Sequence, residues 1–207
     1  MSVDGDTPIP IILAAGAGRR LGGNKALLRL GEATLLELAL AAVRDSLLGR
    51  PLVVTGCAAE EVEAIARRGG ALTARNPSWE GGMTGSIQTG LRSLPRECPA
   101  FLLYPVDHAF VRARDLDALA RAWAARKSEE PLIFRPRCGE ALGHPVLFDR
   151  SFAAEFLALG PDEPGHLVYR RHLDRVMWVE VDNPSIARDL DAPEDLEDLP
   201  ASDPPPR

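Results

Sequence analysis

Apolar residues fall along the chain as short dense runs alternating with longer, spaced stripes. The first run, Ile9-Pro10-Ile11-Ile12-Leu13-Ala14-Ala15, is short, rich in β-branched residues and closed by Gly16. Such a run predicts a strand buried on both faces. Residues 27–30 predict a short extended piece that turns at Gly31-Glu32. Thr34-Leu35-Leu36-Glu37 has the capping-box pattern and opens a helix through about Ser46, with Leu35, Leu38, Ala39, Ala42 and Val43 on one face. A second strand is expected over 52–55, a helix over 60–68 ended by Gly69-Gly70, and a weaker third strand over 71–74. Strand, helix, strand, helix, strand is the start of a parallel α/β fold.

The next stretch, 76–86, carries too many turn formers for regular structure and leads into a helix over 86–94. The N-terminal N–H groups of that helix can face an anion. Residues 100–107 form an apolar strand that ends in a carboxylate, Asp107. A helix over 114–127 turns Leu116, Leu119, Ala120 and Trp123 inward, and a strand follows over 131–134. Arg135-Pro136-Arg137 after it is either a contact for an anionic substrate or a solvated turn. Gly143-His144-Pro145 shapes a sharp entry into another strand; a helix over 151–159 and a strand over 176–181 follow. Pro193 opens a last helix, and 200–207 is a Pro-rich tail expected to fray.

The totals narrow the function. At 207 residues, 1–199 read as one domain with a substantial core, with no internal repeat and no second domain. A net charge of −6 argues against nucleic acid as a partner. No apolar stretch is long enough to cross a membrane, and the acidic N-terminus has no signal-peptide core. Cys57, Cys98 and Cys138 are scattered, which fits reduced thiols in a cytoplasmic protein rather than disulfides or zinc.

The chemistry gathers after the first strand. Gly16, Gly18, Gly22 and Gly23 predict a loop whose N–H groups can cradle phosphate oxygens, and Arg19, Arg20 and Lys25 add cations. It is not a Walker loop, because Gly23 is followed by Asn24, Lys25 and Ala26. Nor is it a dinucleotide fingerprint: Leu21 occupies a required glycine position and the second strand lacks a terminal acid. Asp107, at a strand's carboxyl end, is either a loop cap or a metal ligand. His144 is either structural or part of a pocket.

Leu13, Ala14, Ala15, Gly16, Gly18, Arg20, Gly22 and Lys25 fall on the signature L-A-A-G-x-S/G-x-R-M-G-x-x-K, with Leu21 for Met. The chain thus resembles nucleotidyltransferases of GT-A-like fold, and among them the molybdopterin nucleotidyltransferases. Separate stretches carry the same resemblance: Asn76, Trp79, Gly82, Met83, Ser86, Gly90 and Leu91; Pro105 and Asp107, with Ala109 for a second Pro; Gly143-His144-Pro145 with Phe148; and Asp189-Leu190-Asp191 before Pro193-Glu194-Asp195-Leu196. One stretch departs: where the family often reads G-D-x-G-A-R, residues 160–166 contain a second proline and end in His166.

The resemblance implies a three-layer α/β sandwich with a mostly parallel sheet, and transfer of a nucleotide to a phosphorylated acceptor. It places Leu13, Ala14, Ala15, Gly16, Gly18, Arg20, Lys25, Asn76, Gly82 and Ser86 against the nucleotide, and His144 and His166 against the acceptor. Arg20, Lys25 and Asp107 become the catalytic residues. Magnesium would be held by Asp107 with either Asp189 or Asp191, which share a face if that segment is extended. Relatives reading L-A-A-G tend to use cytosine nucleotides, so CTP is the expected donor and molybdopterin the expected acceptor. A molybdenum hydroxylase would then be a transient partner. Other readings are transfer to another metabolite such as a sugar phosphate, an NAD(P)H-dependent reductase on the same scaffold, and a non-catalytic cofactor carrier.

Overall fold

In the computed structural model, which describes residues 7–18, 23–127 and 130–190, the sheet is built outward from its first strand. Strand β1 (Ile9–Leu13) is buried along its whole length. Side chains alternate across a strand, so Ile12 enters one core while Ile9, Ile11 and Leu13 enter the other. A strand with two apolar faces needs helices on both sides, and this dictates three layers.

A short hairpin, β2 (Arg29–Leu30) and β3 (Ala33–Thr34), precedes helix α1 (Leu35–Arg44). The capping box forms: Thr34 Oγ1 accepts from the Glu37 N–H, and the Glu37 carboxylate accepts from the Thr34 N–H. Then come β4 (Leu52–Thr55), α2 (Ala59–Arg68), β5 (Leu72–Arg75), α3 (Met83–Ser93), β6 (Ala100–Pro105) and α4 (Ala113–Ala124). The chain continues through β7 (Ile133–Cys138), β8 (Ala141–Leu142), β9 (Val146–Asp149), α5 (Ala153–Ala158), α6 (His166–Arg171) and β10 (Val176–Glu180).

The strand order is β10-β7-β9-β6-β1-β4-β5, with β8 paired to β7. The main strands run parallel except β9, which is antiparallel to both β6 and β7. Residues 139–145 connect β7 to β9, too short for the crossover a parallel pair requires. Helices α1, α2 and α4 cover one face and α3, α5 and α6 the other. Helix α3 comes close to the sheet at Gly90, where a Cβ would lie 2.6 Å from Ile11 Cγ2.

Three expectations need correction. Helix α3 begins at Met83 rather than at 86, because Gly82, at φ 103°, ends the preceding loop. Arg135-Pro136-Arg137 lie inside β7, not in a turn after it. Pro136 is tolerated because the ladder to β9 covers only Ile133 and Phe134, so the missing N–H interrupts no bond there. Helix α6 was not expected; two turns after Pro164-Gly165 are too short to show a periodic stripe. The helix expected after Pro193 and the tail lie outside the described residues. No helix among the described residues is long and apolar enough to cross a membrane.

Candidate active site

The chain adds β4 and β5 on one side of β1, then crosses to place β6 on the other. Open α/β sheets bind ligands outside the strand ends at such a switch point. Here the loop after β1 meets the end of β6, with the Val106 N–H donating to Leu13 O at 3.3 Å. Gly18 has φ 56°, and a Cβ there would lie 2.1 Å from Gly23 O, so the loop closes on itself only with glycine at this position.

Asn24 holds this loop to the sheet. Its buried amide donates to Cys57 O at 2.6 Å and to Ala14 O at 3.3 Å, while its Oδ1 accepts from the Ala26 N–H at 2.8 Å. In the sequence Asn24 serves only to exclude a Walker loop; one asparagine in a Gly-rich stretch does not reveal a partner 33 positions away. Asn24→Ala leaves buried polar groups unpaired, so it should cost about 1–3 kcal/mol and weaken nucleotide binding. Denaturant unfolding together with nucleotide titration checks this; an unchanged midpoint and affinity would remove Asn24 from the account.

Lys25, which starts a 3-10 turn, reaches across to Asp107 at the end of β6. Nζ and Oδ2 are 2.7 Å apart, and the side chains are 21% and 19% exposed. The Leu190 N–H donates to the Asp107 carbonyl at 3.2 Å, which brings Asp189 to the same place. Asp189 is exposed and, with Asp107, lines one cavity. Arg20 and Asp191 lie outside the described residues.

Two cavities adjoin at Asp107. The smaller, about 330 Å³, is lined by Leu13, Ala15, Gly16, Gly18, Lys25, Trp79, Gly82 and Ser86. The larger, about 680 Å³, has an apolar floor of Leu103, Val146, Phe148 and Phe156 and a polar rim that includes Arg135, His144 and His166. Leu13, Gly82, Met83, Pro105 and Asp107 line both. The start of α3 therefore stands on the boundary, where unpaired helix N–H groups favour negative charge.

Most residues expected against the nucleotide line the smaller cavity, and His144 and His166 both line the larger. Two do not line either: Ala14 turns into the opposite core, and Asn76 is buried, donating to Ser86 Oγ at 3.1 Å and accepting from the Ser78 N–H at 3.0 Å. Asn76 thus shapes the loop before α3.

His108, which no motif of the sequence singles out, packs on His144 with ring centroids 4.5 Å apart. Burial pushes the basicity of both rings down, that of His144 to about 3, with His108 and Arg135 nearby adding to the effect. Each has a buried Nδ1 without a hydrogen-bond partner. The sign follows: the unfolded chain takes the His144 proton first, so the stability is complete above pH 6.5 and is lost as pH falls from there toward 3. The slope is at most about 1.4 kcal/mol per pH unit for one ring. The lowered carboxyls of Glu37 and Glu63 begin to contribute only below about 4.5. Unfolding midpoints should therefore drop between pH 7 and pH 5, and drop less in His144→Gln; equal losses would show that His144 is not held neutral.

The family model for the MobA-like NTP transferase domain matches residues 10–186. The chain belongs to this family. By that membership it is a nucleotidyltransferase, and the family's resemblance stated from the sequence is borne out. Solved structures share the fold. A nucleotidyl transferase from Methanothermobacter has a TM-score of 0.78 at 20% identity, covering 93% of this chain and 95% of that one. Rv0371c from Mycobacterium tuberculosis, in complex with manganese, has a TM-score of 0.72 at 22% identity, covering 93% and 100%. Molybdopterin-guanine dinucleotide biosynthesis protein A from Archaeoglobus fulgidus has a TM-score of 0.66 at 19% identity, covering 91% and 95%. No curated protein matches the chain.

Proposed function

We propose that this MobA-like transferase moves CMP from CTP to molybdopterin and releases pyrophosphate. The observation that carries the proposal is the pair of adjoining cavities with Asp107 at their junction and Lys25 paired to it from the smaller one. One cavity is lined by a glycine-rich loop suited to a triphosphate. The other is larger and mostly apolar below a polar rim, as a heterocyclic phosphate ester requires. The Archaeoglobus relative's name supports a molybdopterin acceptor. On this reading the product's recipient is a molybdenum hydroxylase.

An anionic phosphate oxygen of the acceptor attacks the α-phosphorus of the nucleotide. A new P–O bond forms as the bond to the bridging oxygen breaks, and pyrophosphate leaves with that electron pair. The attacking oxygen carries its charge already at neutral pH, so no side chain has to remove a proton. The protein contributes alignment and neutralisation of charge. Lys25, the glycine-loop N–H groups and Arg20 hold the triphosphate, and the start of α3 faces the reacting phosphate.

Asp107 and Asp189 fit a hard divalent cation: two carboxylates beside one cavity, with substrate phosphates to complete the shell. No cluster of three or more His, Cys, Asp or Glu poised to hold a metal occurs among the described residues. Magnesium there would neutralise charge on the reacting phosphate. The mycobacterial protein was solved in complex with manganese, which supports the use of a divalent ion.

Ala15 lines the smaller cavity, and its methyl leaves less room than glycine would, which suits a pyrimidine. With CTP and GTP at equal concentration, CTP should be used preferentially, and Ala15→Gly should narrow the gap, by about 10- to 200-fold at most for one methyl-sized change. A wild-type preference for GTP would refute the cytidylyl reading and leave the transferase standing.

A further inference from the structure

Arg135 stands on the wall of the larger cavity, held still at one end and open at the other. It projects from β7; its Nε donates to Gly143 O at 3.2 Å, and its Cζ lies 5.0 Å from the centroid of the Tyr169 ring. Tyr169, in α6, lines the same cavity. A carbonyl and an aromatic face orient a guanidinium without cancelling its charge. Other arginines of this region do have carboxylates: Arg137 pairs with Glu180, Arg171 with Glu163 and Arg175 with Glu130. Arg135 forms no ion pair among the described residues.

A half-buried guanidinium without a counter-charge is unfavourable until an anion completes it. Its remaining N–H groups form a fork that matches two oxygens of a phosphate. The rest of the rim makes that fork necessary. Asp162 and Asp189 also line the cavity and repel an incoming anion, and neither His144 nor His166 offers a two-pronged set of donors.

We infer that Arg135 grips the phosphate of the acceptor and so aims its attacking oxygen at the junction of the two cavities. The inference rests on the two-substrate reading above, but it assigns to β7 a binding role that the sequence left open between substrate contact and solvated turn. Arg135 acts on the acceptor alone; the donor nucleotide lies in the other cavity.

The first test does not need the acceptor to be known. The protein is saturated with magnesium and a CTP analogue whose α,β-bridging oxygen is a methylene, and inorganic phosphate is titrated in with ³¹P line broadening as the signal. Wild type should show a second, weak phosphate site; Arg135→Ala should lose it and Arg135→Lys should keep part of it. Affinity for the CTP analogue should be the same in all three, which also reports that the variants are folded. In transfer assays with molybdopterin, Arg135→Ala should raise the acceptor KM by about 10- to 100-fold, with the KM for CTP unchanged. No second phosphate site in wild type, an undiminished site in Arg135→Ala, or a wild-type acceptor KM in that variant would each overturn the assignment. If wild type binds phosphate through Arg135 yet transfers nothing to molybdopterin, the acceptor named above is wrong and the role of Arg135 stands.

Discussion

Asp107→Ala should reduce nucleotidyl transfer by about 100- to 1000-fold or more while the protein stays folded. Asp107 lies two residues beyond the buried strand β6 and is itself partly exposed, at the junction of both cavities, so its side chain supports no core. Removing the carboxylate takes away a partner of Lys25 and, on the proposed reading, a ligand for the divalent ion. Asp107→Asn keeps the shape and loses the charge, so it should be nearly as impaired; a merely structural aspartate would tolerate the amide. Initial rates of pyrophosphate release at several magnesium concentrations, beside a thermal unfolding curve, decide the matter. Full activity in either variant would remove Asp107 from the reaction.

Lys25→Ala should lower the rate by a similar factor, about 100- to 1000-fold at saturating nucleotide. The ammonium lies at the end of the glycine loop, partly shielded from water, where a charge acts more strongly on a phosphate than it would in bulk solvent. Lys25→Arg retains the charge on a longer, flatter group and should recover only part of the rate. Single-turnover kinetics separate chemistry from binding. A variant that binds CTP poorly but turns over normally once saturated would make Lys25 a binding residue only.

The layers of the fold were legible because β1, β4 and β6 are short apolar runs and α1, α2 and α4 carry clear stripes. What determined their order in space was not local. The direction of β9 follows from the length of one connection, and the tolerance of Pro136 inside β7 depends on where a neighbouring ladder stops. The site divided in the same way. Lys25 and Asp107 could be named from a loop and a strand end, but their 2.7 Å contact spans 82 positions. Asn24, His108 and Arg135 have partners that only folding supplies: a carbonyl in the turn after β4, a second imidazole, a tyrosine ring. Asn76 shows the converse, since a residue matched within a motif supports the loop's shape rather than lining the cavity.

The most direct test of the account is pyrophosphate release by the purified protein supplied with magnesium, molybdopterin and each NTP in turn. The account predicts release that requires both substrates, is fastest with CTP, and accompanies one equivalent of molybdopterin cytosine dinucleotide. No pyrophosphate with any NTP, or consumption of NAD(P)H in its place, would contradict it.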